Sequence, residues 1–357
     1  MIPIRGDRNH LRGPVKIFLR IVTAALLLVL AAALTFYLQP LWVNDHVIAF
    51  KLWRQHVDSK YVDVDGYSIH YYEAHPPKVV AAQIPEALLT DDDREKLLAK
   101  NRMEGIPVVL IHGLGSRAED WSPLIPTLAA QGFHVYALDL LGFGRSAHPD
   151  VDYSMAMQQK MVVDFMDTLQ IEHADIAGWS MGGWVALELT LDHPEMVDRL
   201  VLFDSAGTYF PPTFDASLFV PTDAPGLEKL AAMVSPKKNA MPGFISRAAI
   251  SRLQRDGWVI ERSMASMELG RDLLDFRLHE IAKPTLIVWG SLDRLIPLAV
   301  GEAMHRRIED SSLLVVSGCG HLAAGECSRP VLKTTIDFLK TDPPPQPTEQ
   351  TVDGLAP

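Results

Sequence analysis

Cysteine is nearly missing from this chain: Cys319 and Cys327 are the only two among 357 residues. Two are too few for a disulfide framework, and so sparse a pair reads as small side chains used for packing. Basic blocks are missing from the body as well. Lys and Arg number 33 against 44 Asp and Glu, a formal net charge of −11, whereas phosphate binding needs clustered cations, so nucleic acid is excluded as a partner. No H-E-x-x-H or C-x-x-C spacing occurs and no G-x-G-x-x-G follows a strand pattern, which leaves neither a zinc site nor a dinucleotide fold to expect. The expected cofactor and metal content is none. The length suits one large domain with additions, and nothing in the sequence sets an oligomeric state.

Charge is absent from one further place. Ile21 to Leu38 carries no ionisable acid or base, and as a helix it would cover about 27 Å, close to the thickness of a hydrocarbon core. This predicts a membrane anchor over 15–40, after an N-terminal tail 1–14 and before a juxtamembrane linker 41–60. Ala31 and Ala33 also fit an A-x-A cleavage site, so a removed signal peptide is the alternative. The apolar run continues past that site to Tyr37 and Trp42, residues suited to a membrane interface, which favours the anchor. Arg5, Arg8, Arg12, Lys16 and Arg20 precede the span, while Asp45, Lys51 and Arg54 follow it. The positive-inside bias then places the N-terminus in the cytoplasm and the body on the non-cytoplasmic face, periplasmic in a Gram-negative bacterium.

Beyond the anchor, Tyr61 to Glu73 alternates apolar and polar residues around Asp65-Gly66, the pattern of a hairpin. Residues 76–106 read as a polar surface insertion, with a short helix capped at Thr90 and opened by Asp91-Asp92-Asp93. Strands and helices then alternate: strand 107–111, helix 124–130, strand 135–138, helix 154–169, strand 174–177, helix 182–192, strand 199–203, and later strands 285–289 and 312–316. Such alternation predicts an α/β fold, a mostly parallel sheet with crossover helices, over 61–204 and 283–340. Residues 205–282 break the rhythm with helical stretches rich in Met, Phe and Leu and form an inserted helical cap. The end, 341–357, holds Pro343-Pro344-Pro345 and reads as a disordered tail.

The centre of the chain is Gly178-Trp179-Ser180-Met181-Gly182-Gly183, a G-x-S-x-G turn between a strand and a helix. Before it come His112-Gly113-Leu114-Gly115 and Asp139-Leu140-Leu141-Gly142-Phe143-Gly144-Arg145-Ser146, each after a strand. After it come Trp289-Gly290-Ser291-Leu292-Asp293 and Gly320-His321. A serine too weakly acidic to attack a carbonyl alone needs a base, and that base needs a carboxylate to fix its tautomer. The order Ser180, Asp293, His321 supplies all three. Asp204 also ends a strand and is the other candidate for the acid.

Together these motifs resemble the α/β-hydrolase family from Tyr61 to Lys340, and within it the membrane-anchored monoacylglycerol lipases and related bacterial lipases and esterases. The resemblance implies Ser180 as nucleophile, Asp293 as acid at the family's usual place, and His321 as base. It also implies an oxyanion hole from the N–H groups of Leu114 and Met181, with His112, Asp139 and Arg145 bracing loops. The expected function is hydrolysis of carboxylic esters, lipid-like acyl esters such as monoacylglycerols, by a membrane-tethered enzyme whose partners are an apolar ester and the bilayer. Phe210, Phe214, Leu218, Phe219, Met233, Met241, Phe244, Met264 and Met267 in the cap suit flexible apolar groups. C–C bond hydrolases and perhydrolases share these motifs and are the alternative, as is a catalytically silent hydrolase scaffold that only binds. The mammalian lipases of this resemblance face the cytosol, opposite to the side that the charge bias of this chain favours.

Overall fold

Runs of β-branched and aliphatic residues, buried on both faces, build a single sheet in the computed structural model, which describes residues 12–77, 105–237, 241–342 and 344–354. Its strands are β1 (Val57–Val64), β2 (Tyr67–Ala74), β3 (Ile106–Ile111), β4 (Phe133–Leu138), β5 (Ala174–Trp179), β6 (Val197–Phe203), β7 (Thr285–Gly290), β8 (Ser311–Ser317) and β9 (Glu349–Asp353). They lie in the order β1-β2-β4-β3-β5-β6-β7-β8-β9. The β1/β2 hairpin is antiparallel to its neighbours, and every pairing from β4 onward is parallel. Asp65 and Gly66 join β1 to β2 with φ of 52° and 81°, the double left-handed geometry of a type I′ turn, which Asp-Gly accepts at low cost.

Because side chains alternate across a strand, each parallel strand feeds two cores. Val109, Ile111, Ile176 and Leu202 pack on one face, and Val108, Leu110, Ala177 and Val201 on the other. Helices cover both, as a parallel sheet requires. The chain opens with α1 (Arg12–Leu38) and α2 (Pro40–Arg54), and α3 (Ile125–Ala130), α4 (Met155–Thr168) and α5 (Met181–Asp192) follow in the core. The cap carries α6 (Ala224–Val234), α7 (Gly243–Arg255) and α8 (Gly257–Glu268), and α9 (Leu298–Arg307) and α10 (Ser328–Lys340) complete the layers.

Within α1, Lys16–Leu38 has a mean hydropathy of 2.6 and none of it is buried in the protein, so its length and composition suit a membrane span. The stretch 41–60, expected to be a linker, is instead α2 and the first half of β1, and the folded domain starts earlier than Tyr61. Leu52 of α2 is buried in the core, which an amphipathic helix achieves and a linker does not. Asp45 accepts from Arg117 at 2.6 Å and from Arg252 of α7 at 2.6 Å. Burial alone would raise the Asp45 carboxyl, but the two guanidinium groups hold it below the usual carboxylate range. Phe36 and Tyr37 meet Phe244 of α7 at centroid distances of 5.6 and 5.2 Å. The C-terminal end of α1 thus docks on the cap.

Two other expectations are corrected. The tail is not wholly disordered: Glu349–Asp353 forms β9, paired in parallel with β8 from Leu313↔Glu349 to Ser317↔Asp353. The proline-rich run ends at Pro347, and Val352 then packs against the core beside a sheet edge that would otherwise be open. Cys319 and Cys327 are not simple packing residues but form a disulfide. Most of the 76–106 insertion, with the helix expected at Thr90, lies outside the described residues.

Two buried carboxyls lend the fold a pH dependence. Asp175 and Glu188 are 2% and 5% exposed, and burial pushes their pKa values up to about 7 and about 8. Between the ordinary carboxylate range and those values the folded state holds protons that the unfolded chain has lost, so stability falls as pH rises through that window. The melting temperature should be higher at pH 5 than at pH 8, and Asp175→Asn with Glu188→Gln should flatten the difference. A melting temperature that rises across this window, with no change in slope in the double variant, would count against this account.

Candidate active site

The strand-to-helix turn after β5 places Ser180 at φ 55° and ψ −118°, a strained backbone for a residue with a Cβ. Neighbours hold it there: Ser180 N–H donates to Phe203 O at 3.0 Å, and its carbonyl accepts from Ala206 N at 3.0 Å. Space is so short that only glycine fits around it. A Cβ on Gly182 would strike the carbonyls of Ile111 and His112, and one on Gly178 would strike Gly182 O.

His321 sits in the loop after β8 and Asp293 in the loop after β7. His321 Nδ1 and Asp293 Oδ2 lie 2.8 Å apart with both side chains buried, and Asp293 Oδ1 accepts from Leu295 N at 2.8 Å and Ile296 N at 2.9 Å. The carboxylate is thereby fixed while Nδ1 carries its proton, leaving Nε2 to act on another group. Ser180 and His321 share the wall of one cavity. The second candidate acid, Asp204, faces elsewhere. Its Oδ1 accepts from Gly290 N at 2.7 Å and its Oδ2 from Ala323 N at 3.3 Å. Complete burial and the neighbouring Asp293 charge push its carboxyl well above the usual range, and its two backbone hydrogen bonds tie β7 to the His321 loop.

The loop after β3 comes next to the serine, where Gly113 is so close that a Cβ would lie 3.1 Å from Ser180 Cβ. Its brace is His112, whose Nδ1 lies 2.8 Å from Gly113 O while Leu140 N–H donates to its Nε2 at 3.0 Å. That pattern defines a neutral ring protonated at Nδ1, and burial lowers its pKa in accord. Leu114 lines the cavity, and no backbone carbonyl among the described residues accepts its N–H. Met181 opens α5, so its N–H has no partner within the helix. Asp139 accepts from Ala118 N at 2.6 Å, Arg145 N at 2.9 Å and His70 Nδ1 at 2.7 Å, which makes it a loop fastener.

The cavity, about 720 Å³, is walled by Phe210, Phe214, Phe219, Met264 and Met267 from the cap. Of the other cap residues singled out in the sequence, Leu218 is buried, Met241 is exposed, Met233 packs beside the core and Phe244 meets the anchor. Three carboxyl side chains, Asp120, Glu268 and Glu326, reach the wall, and among the described residues no Lys or Arg does. Sequence reasoning missed Trp121 and Glu326, whose Nε1 and Oε2 are buried in that wall without a hydrogen-bond partner among the described residues. A single motif could not reveal them, since they come from two short helical turns, Ala118–Trp121 and Ala323–Glu326, far apart in the chain. Ligand atoms of Glu73, His75 and His134 lie within 4.8 Å of one another, at the opposite end of the sheet from Ser180. Lys60 and His134 already engage Glu73 there.

A family model for the alpha/beta hydrolase fold matches residues 106–326. The chain belongs to the α/β-hydrolase family. Among the curated members, it is 31% identical over 258 residues to a 2-hydroxy-6-oxononadienedioate/2-hydroxy-6-oxononatrienedioate hydrolase of Paraburkholderia xenovorans strain LB400, covering 65% of this chain and 86% of that protein. It is 32% identical over 255 residues to a 2-hydroxymuconate semialdehyde hydrolase of Pseudomonas sp. strain CF600, covering 66% and 87%. Of solved structures, a membrane phospholipase A described as a bacterial virulence factor superposes with a TM-score of 0.70 at 24% identity, covering 90% of this chain and 97% of that one. At that identity the likeness bears on the fold alone. A serine hydrolase involved in carbazole degradation gives 0.61 at 26% identity, covering 79% and 98%. This α/β-hydrolase therefore shares its scaffold with enzymes of more than one chemistry, and its substrate class has to be argued from the site.

Proposed function

We propose that this protein is a serine hydrolase that cleaves neutral, apolar carboxylic esters, lipid-like acyl esters such as monoacylglycerols, at a membrane. In this reading His321 Nε2 takes the proton from Ser180 Oγ as the oxygen bonds to the acyl carbon, and Asp293 steadies the imidazolium. The Leu114 and Met181 N–H groups receive the developing oxyanion. The leaving alcohol takes the proton from His321, and water then releases the acid from the serine by the reverse relay.

One observation carries the substrate class: the cavity wall is apolar, with three carboxyls and, among the described residues, no Lys or Arg. A bound carboxylate left without a cation in such a cavity is costly, whereas an acyl chain gains about 0.8 kcal/mol for each buried methylene. The unpartnered Trp121 Nε1 and Glu326 Oε2 offer a donor and an acceptor to a hydroxylated neutral head group. The second reading, hydrolysis of a C–C bond in an anionic ring-fission product, is favoured by the names of the curated relatives. A panel assay separates them: membrane fractions holding the protein should turn over a long-chain monoacylglycerol far faster than a 2-hydroxy-6-oxo-dienoate. The reverse preference would sink the ester reading.

Membrane attachment belongs to the same proposal. Lys16–Leu38 is the span, and the exposed Trp42, Phe50 and Trp53 of α2 suit the adjoining interface. The Cys319–Cys327 disulfide supports the non-cytoplasmic face that the charge bias favours, since such bonds persist in oxidising compartments. Protease added to spheroplasts should digest the hydrolase domain and spare a tag fused before Met1. Protection of the domain would invert the topology.

A further inference from the structure

The loop between β8 and α10 does two things at once. It holds His321, and its residues Leu322, Ala324, Gly325 and Glu326 form part of the cavity wall. Its two ends are joined to each other by the Cys319–Cys327 disulfide, eight residues apart in sequence. Inside that closed ring Ala323–Glu326 form one helical turn, and the fastenings to the body are single contacts. Leu292 N donates to Cys319 O at 2.8 Å, Trp179 Nε1 to His321 O at 2.8 Å, Ala323 N to Asp204 at 3.3 Å and Lys237 Nζ to Glu326 O at 3.1 Å, while His321 Nδ1 faces Asp293 Oδ2 at 2.8 Å. Outside it the structure seals the sulfurs. Cys319 and Cys327 are 0% and 2% exposed, and Gly354, just past β9, donates from its N–H to Ser317 O at 3.1 Å. A Cβ on Gly354 would lie 2.8 Å from Cys327 Sγ. The C-terminal strand thus closes over a bridge whose ring contains the base.

We propose that the Cys319–Cys327 disulfide is a positioning element for His321, and that the hydrolase reaches full turnover only after this pair has been oxidised. The oxidation takes two thiols to one disulfide; two protons and two electrons pass to a partner disulfide, of an oxidoreductase or of glutathione, which becomes two thiols. Without the bridge, the loop that carries His321 would be held to the body only by these separate hydrogen bonds, with nothing covalent to fix its two ends to each other. Its Nε2 would sample positions off the line to Ser180, and misplacement on the order of 1 Å can cost about 10²-fold in rate. A chain still in a reducing compartment would then be folded and nearly silent. The proposal rests on the Ser180, Asp293 and His321 reading.

The test uses the full-length protein solubilised from membranes, with three readouts: ester kcat and KM, the rate of phosphonate attachment to Ser180, and the melting temperature. Cys319→Ala with Cys327→Ala should lower kcat and the attachment rate together by about 10²-fold, with KM little changed and the protein still folded at the assay temperature. If the double variant does not fold, the wild type is reduced with a phosphine and alkylated with iodoacetamide. Activity should fall with the fraction alkylated at both cysteines, and glutathione disulfide added before alkylation should restore it. A double variant with wild-type kcat and only a lower melting temperature would assign the bridge to stability and overturn the proposal, as would free thiols at both positions in fully active protein. Should the oxidised wild type take no phosphonate at Ser180, the triad reading fails instead.

Discussion

On the proposed ester chemistry, Ser180→Ala should lower turnover by about 10⁶-fold, the scale on which deletion of a serine nucleophile acts when triad members work as a unit. The turn sets this serine apart. Ser180 is held at φ 55° between β5 and α5, and Gly178 and Gly182 beside it stand where a Cβ would strike backbone. Some acceleration over water remains, because the Leu114 and Met181 N–H groups still meet an oxyanion. The same substitution removes covalent labelling by a fluorophosphonate, read by mass spectrometry of the peptide that contains the turn. An adduct on a different residue of the wild type, or turnover that survives the substitution, would remove the serine hydrolase mechanism.

Asp293→Asn costs about 10⁴-fold in turnover, and Asp204→Asn about tenfold or less. The two carboxyls compete for one role in the sequence, and their hydrogen bonds separate them. Asp293 Oδ2 faces His321 Nδ1 at 2.8 Å. An amide there can present N–H to the ring, which turns the tautomer over and points Nε2–H at the serine it should deprotonate. Asp204 accepts backbone N–H groups, from Gly290 and Ala323, and burial beside Asp293 pushes its carboxyl up. An asparagine carbonyl preserves one of those bonds. Steady-state kinetics on the two variants decides the assignment, and a larger loss at Asp204 would move the acid there.

Much of the frame was legible because its signals are local. The largely apolar runs of β3 and β5, the Asp65-Gly66 turn and the run of charge-free residues in α1 each reflect a short stretch obeying its own geometry. The elbow was legible for the same reason, since strand, strained serine and helix are contiguous from Ala174 to Asp192. What stayed hidden depends on distant partners. β9 follows a proline run and becomes a strand only because β8 offers it an edge. The disulfide needs β8, the His321 loop and Gly354 in one place before two sparse cysteines mean anything. α2 looked like a linker because Asp45 shows its use only once Arg117 and Arg252, 72 and 207 residues further on, have folded against it. The choice of acid likewise depended on which carboxyl the imidazole faces.

Only Gln39 separates α1 from α2, and α2 is pinned to the body by Asp45. The hydrolase therefore has no leash. On the proposed membrane attachment, a span seated in a bilayer would hold the catalytic body at one height, and its search for lipid esters would be two-dimensional. Its rate should then follow the mole fraction of ester in the surface rather than the bulk amount, and diluting the substrate with inert lipid should slow the enzyme even when no substrate has been removed.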